Sequence, residues 1–152
     1  MKKSKYEKQR QRLDPLFKKW VGKLGLSAYD ITVRYYDKPK AFRKENGVGK
    51  NAVMVITPDW AYLEADIAVC MSLVAGLDDD KLEKYVIHEL CHILVNQMRG
   101  WRQQRTPDEI AHEERVVSCL ATLFFNLDRA TKKGYNEEKG KADERISTYH
   151  QS

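Results

Sequence analysis

Residues 85–94 read Tyr85-Val86-Ile87-His88-Glu89-Leu90-Cys91-His92-Ile93-Leu94, and the fold turns on how this stretch has to be buried. Leu82, Val86, Ile87, Leu90, Ile93, Leu94 and Met98 spread apolar surface around most of a helical circumference. The spacing predicts a helix from about Asp78 to Met98, and so wide an apolar girdle marks a central, buried one. His88 and His92 are four apart, so on that helix one sits above the other on the same face. A single divalent cation can then touch a nitrogen of each. Glu89 points off to the side of the pair, where its carboxylate can take a proton from a water held there. Two imidazoles and a carboxylate are costly inside a core unless they are partnered. A bound metal meets that need, and the H-E-x-x-H spacing suits zinc.

Working outward, Gly76–Asp80 reads as a turn, with Asp78, Asp79 and Asp80 suited to the positive end of the helix that follows. Before it come the sheet and a first helix. Tyr6, Leu13, Leu16, Phe17, Trp20, Val21 and Leu24 recur at helical spacing over residues 5–24. Pro15 is expected to kink that helix or to restart it after Asp14 as N-cap, and Gly25 to stop it. Ile31–Tyr36 and Ala52–Thr57 are rich in strand formers, and Pro58-Asp59 reads as a turn. Tyr62–Met71 alternates as a third strand, with Leu63, Ala65, Ile67 and Val69 on one face. Lys38–Lys50, with Pro39, Asn46, Gly47 and Gly49, reads as a loop.

Beyond the motif, Gly100 is expected to end the helix. Thr106-Pro107-Asp108-Glu109 then carries the signature of a helix start: a capping threonine, proline at the first position and glutamate at the third. A second long helix should run to about Asp128. The reading is α+β: an N-terminal helix, a small three-stranded, mixed sheet and two long packed helices in one domain over residues 1–130. Residues 131–152 form a charged tail, frayed or helical.

Two histidines leave a catalytic zinc one protein ligand short. The candidates open the second long helix, where Ile110, Val117, Leu120, Ala121 and Phe124 define an apolar stripe. Glu113 and Glu114 lie on its two flanks. Glu114 shares its side with the small residues Ser118 and Ala121, which let two helix backbones approach, whereas Glu113 is followed by Val117 and Leu120. Glu114 is therefore favoured, with Glu113 the alternative and His112 third. Cys91 falls on the apolar side with Ile87 and Leu94 and reads as core.

At 152 residues the chain can bury a core without disulfides. Its three cysteines, Cys70, Cys91 and Cys119, are widely spaced and suit free thiols in a reducing cytoplasm. No apolar run is long enough to span a bilayer, and no apolar segment follows the basic N-terminus as a secretory signal needs. The net charge of +5 is uneven: residues 1–23 hold nine Lys/Arg against Glu7 and Asp14. Lys38, Lys40, Arg43, Lys44 and Lys50 form a second basic stretch. Such patches can meet nucleic acid or an acidic protein, although no aromatic-interleaved RNA signature accompanies them.

The motif, preceded by Tyr85-Val86-Ile87 and followed by a glutamate helix with small residues at i+4 and i+7, resembles the gluzincin branch of the zincin metallopeptidases. The order of helix, short strands, motif helix and glutamate helix over residues 5–128 looks like the minimal zincin-like proteins of phages and prophages. It is similar, more distantly, to short intracellular zincins that cleave regulatory or DNA-associated proteins. The resemblance implies a cytoplasmic zinc peptidase acting on a peptide or protein. His88, His92 and Glu114 would hold Zn2+, Glu89 would be general base, and the strand Tyr62–Met71 would pair with an extended substrate. Ser118 stands where family members often carry Asp or Asn, and no counterpart of the family's oxyanion tyrosine or histidine is evident. The alternative is a non-catalytic module, stabilised by zinc, that docks on nucleic acid or protein through the basic N-terminal helix and loop.

Overall fold

The computed structural model describes residues 6–96 and 105–149, with 136–149 described by backbone alone. Helix α1 spans Glu7–Lys23 and buries Leu13, Phe17 and Trp20, one per turn. It runs through Pro15 without a restart, and Asp14 accepts the Tyr35 hydroxyl at 2.9 Å instead of capping a new helix. Gly25 ends it at φ 69°, a conformation that costs a glycine little. The Leu26 amide donates to the Val21 carbonyl (2.9 Å) and the Gly25 amide to Gly22 (3.2 Å), the paired bonds of a Schellman stop.

Strand β1 (Asp30–Tyr36) leads into α2 (Pro39–Asn46), in the stretch expected to be a loop. The residues that read as breakers are its boundaries. Pro39 takes the first turn, where its missing N–H is no loss, and Gly47 closes the helix at φ 64°. Between them Phe42 is fully buried. Strand β2 (Met54–Asp59) runs on through Pro58-Asp59, the expected turn. The chain reverses instead through residues 60–63, where Leu63 adopts a positive φ of 54°. Strand β3 (Glu64–Cys70) follows, then the short α3 (Met71–Val74), α4 (Asp79–Asn96) and α5 (Pro107–Tyr149).

The sheet order is β1-β3-β2, with β1 parallel and β2 antiparallel to β3. Ile67 in the middle of β3 faces Val33 on one side and Ile56 on the other. Both edges of β3 are therefore occupied. The strand expected to receive a substrate is central, and β2 is the edge strand on the side of α4. Burial follows from this: Ile67 and Val69 face the main core with α1, α4 and α5, while Ala68 and Cys70 pack with Phe42 of α2. The molecule is thus layered as α2, sheet, and a three-helix layer in which α4 is the inner helix. Among the described residues no helix is long and apolar enough to cross a membrane.

Both ends of the α4–α5 pair that could be read locally are built as expected. The Asp78 carboxylate accepts the Lys81 amide at 2.8 Å and caps α4. Thr106 and Glu109 cap α5 reciprocally: the Glu109 amide donates to the Thr106 hydroxyl (3.2 Å) and the Thr106 amide to the Glu109 carboxylate (2.9 Å). The expected stop at Gly100 lies outside the described residues. Helix α5 continues without interruption through the expected tail to Tyr149.

Candidate metal centre

On α4 the apolar residues Leu82, Val86, Ile87, Leu90, Cys91 and Ile93 are fully buried, which fixes the roll of the helix. That roll turns His88 and His92 toward α5, with ring centroids 5.0 Å apart. Helix α5 in turn buries Val117, Ala121 and Phe125. Ile110, assigned to the apolar stripe, is 41% exposed, because the stripe begins a turn later. The buried face of α5 places Glu113 inside, 7% exposed, and leaves Glu114 at the lip. His112 is exposed on the far side.

Glu114 meets both imidazoles. Its Oε2 lies 3.3 Å from His88 Nε2 and its Oε1 3.4 Å from His92 Nε2. One donor atom from each of His88, His92 and Glu114 falls within 4.8 Å of the others. Glu113 takes a different position. Its Oε1 is 2.9 Å from His92 Nδ1, and its Oε2 accepts Arg105 Nη1 at 2.7 Å. A neutral His92 that donates Nδ1–H to Glu113 turns its Nε2 lone pair toward a Glu114 oxygen. Two electron-pair donors then face each other at 3.4 Å, an arrangement that a cation between them relieves. Two nitrogens and one carboxylate oxygen are a donor set that zinc takes, and a carboxylate behind a ligating histidine is its usual support. The residues fit the ion.

Burial lowers the His88 pKa below its ordinary value, only partly countered by Glu114. That shift favours the neutral ring, the form a ligand must take. Glu89 is 7% exposed. Burial, and then repulsion from Glu114, push its carboxyl up to about 8, while the Ile56 backbone amide on β2 pulls the other way. Cys91, two residues on, is fully buried, and burial raises its thiol to about 12, so it is inert core.

A cleft of about 540 Å³ opens onto this group. Strand β2 from Met54 to Pro58 forms one wall and the start of α5 the other, with His88, Glu89 and His92 between them. The sequence reading named His88, Glu89, His92 and Glu114, and these four share the cleft. It did not find the role of Glu113 as the support of His92, nor Arg105 behind it. Glu113 was visible as a residue on the flank of the stripe, but nothing in the local pattern marks Arg105. Comparison of the chain with protein-family models, with curated proteins and with solved structures finds no match.

Proposed function

We propose that this protein is a zinc-dependent peptidase of the zincin type, and that His88, His92 and Glu114 hold the metal. The observation that carries the reading is the position of Glu89. It is a buried carboxylate beside three convergent donors, at the base of an open cleft. A structural zinc is closed off by four protein ligands, whereas a catalytic one has three and an accessible side. A docking module has no use for a buried, unligated carboxylate at that side. The donor set therefore supports hydrolysis over the non-catalytic alternative.

Zinc in this site supplies a Lewis acid, which makes a water acidic near neutral pH and polarises a carbonyl. The protein residues do the rest. Glu89 accepts a proton from the attacking water as its oxygen bonds to the peptide carbonyl carbon. As the carbon–nitrogen bond breaks, Glu89 returns the proton to the leaving amine. A carboxyl displaced upward by its surroundings is suited to both halves of that exchange. Glu113, anchored by Arg105, holds the His92 ring in its orientation and keeps Nε2 free of a proton. The outer edge of β2 borders the cleft and offers backbone groups to an extended peptide. Pro58 near its end has no amide to give, so pairing would use the segment before it.

The test is elemental analysis joined to peptide hydrolysis. One zinc per chain is expected, lost in His88→Ala and Glu114→Ala. Cleavage of unstructured peptides should stop with a chelator and return with zinc. The reading fails if purified protein holds no transition metal and added zinc changes neither melting temperature nor hydrolysis.

A further inference from the structure

A second cavity, of about 410 Å³, continues from the same site toward the N-terminal half of α4. It shares Ala52, Met54, His88 and Glu89 with the cleft, then runs between α4 and α5 past Val53, Ala121 and Lys84. Its walls are mostly apolar, and among the described residues its only lining carboxylate is Glu89. Two cations line it, Lys81 and Lys84. They stand on the same side of α4 as His88, at seven and four residues before it. Lys81 is matched by Asp78 at 3.2 Å. Lys84 is not matched: its ammonium rests over the Phe125 ring, 4.7 Å from the centroid, and among the described residues no carboxylate pairs with it.

We infer that this cavity selects the substrate residue next to the cleaved bond, and that Lys84 makes glutamate the preferred one. The inference rests on the peptidase reading. A side chain entering past His88 and Glu89 first meets the apolar surface of Val53, Met54 and Ala121, which suits methylene groups. Lys84 lies one helical turn beyond His88, about 6 Å along the axis. A carboxylate carried on two methylenes spans that distance better than the shorter aspartate. The Lys84 stem is flexible, so the exposed ammonium can leave the ring face for a carboxylate, a stronger partner. A basic side chain in the same place would meet an unmatched like charge.

The test uses zinc-loaded protein and blocked peptides, acetylated and amidated, that differ only as Glu, Gln or Lys on either side of the cleaved bond. At one of the two positions Glu should exceed Gln by about tenfold in kcat/KM, and Lys should be the poorest. Lys84→Met should bring Glu and Gln level, and Lys84→Glu should make Lys the best. The same order should appear in peptide binding to zinc-loaded Glu89→Gln, measured by fluorescence anisotropy. Cleavage with no preference for Glu over Gln, or a preference that Lys84→Glu leaves in place, overturns the inference and leaves the peptidase standing. No cleavage of any peptide by zinc-loaded protein removes the peptidase reading, and this inference with it.

Discussion

Two groups of charged side chains tie α4 to α5, one at each end of their contact, and they are built on opposite plans. At one end Glu83 and Asp128 are buried carboxylates surrounded by cations. Lys19 reaches both, with Asp128 at 2.6 Å, Lys23 and Lys132 add to Asp128 at 2.8 and 3.0 Å, and Arg129 approaches Glu83 at 3.5 Å. The Trp20 indole donates to Glu83 at 2.9 Å. At the other end Glu89, Glu113 and Glu114 gather with two imidazoles, and Arg105 pairs with Glu113. The first cluster is complete in itself and joins α1 to the pair. The second has electron-pair donors in surplus on its open side. Carboxylates inside a protein are not by themselves a sign of function. Among the described residues, what separates the ends is that cations surround both carboxylates of the first cluster, while Glu114 and Glu89 in the second face imidazoles and an open cleft.

The difference can be broken most severely at Glu89. Glu89→Gln keeps the shape and removes the proposed base, so hydrolysis should fall by about 10²–10⁴-fold while zinc content stays at the wild-type value. Retained hydrolysis at full zinc occupancy would show that Glu89 moves no proton. Asp128→Ala at the opposite end should leave zinc content unchanged and lower stability by about 2 kcal/mol. That is below the range for fully buried pairs, because Lys23 and Lys132 are half exposed. Chemical denaturation with and without zinc reads both. If Asp128→Ala weakens zinc binding as well, the two ends are not independent.

The pH dependence sharpens the contrast further. Burial alone would raise the Asp128 pKa, but hydrogen bonds from Lys19, Lys23 and Lys132 outweigh it and hold the carboxyl well below the usual carboxylate range. Glu83 is lowered in the same way, chiefly by Lys19 and Trp20 against its burial. Depressed folded-state values mean that this stabilisation is complete above the unfolded-state pKa and is lost as pH falls through the folded one. The gap in stability between wild type and Asp128→Ala should therefore be level near neutrality and shrink below about pH 4. Lys19 gives the alkaline limit. Its hydrogen bonds to Asp128 and Glu83 outweigh burial and raise it, so its share is lost only as pH rises past its ordinary value of 10.5. A gap that narrows already between pH 5 and 9 would mean that other groups govern it.

What could be read from the sequence was what is decided within a few residues. The Gly25 stop, the Asp78 cap and the Thr106–Glu109 box depend on neighbours alone, and the sequence carries them openly. The spacing of His88, Glu89 and His92 is equally local. Helix α2 was misread because Pro39 and Gly47 act as breakers inside an element and as boundaries at its ends, and what decides between the two is the burial of Phe42 against a sheet not visible in the sequence. The place of β3 between β1 and β2 was hidden for the same reason: alternation gives the faces of a strand but not its neighbours. The flanking glutamates could be found together, but their separate positions depend on how far α5 is rolled against α4. Arg105 reaches Glu113 across the first turns of α5, and no spacing rule marks it.

The smallest effect expected is also the one that separates those two glutamates. Glu113→Gln keeps an acceptor for His92 Nδ1–H but loses the charge that strengthens the bond, and it leaves Arg105 without its partner. Support of this kind behind a ligating histidine is worth about 10–100-fold in metal affinity, and the retained acceptor puts Glu113→Gln near the lower end. Glu114→Gln removes a proposed ligand and should cost far more. Competition against a chelator of known affinity measures both on one scale. Since Glu114 spans His88 and His92 while the imidazole that Glu113 meets is His92, Glu114→Gln should loosen both rings at once. If Glu113→Gln abolishes zinc binding and Glu114→Gln weakens it slightly, the roles of the two carboxylates are exchanged, and α5 must roll by about a quarter turn when metal binds.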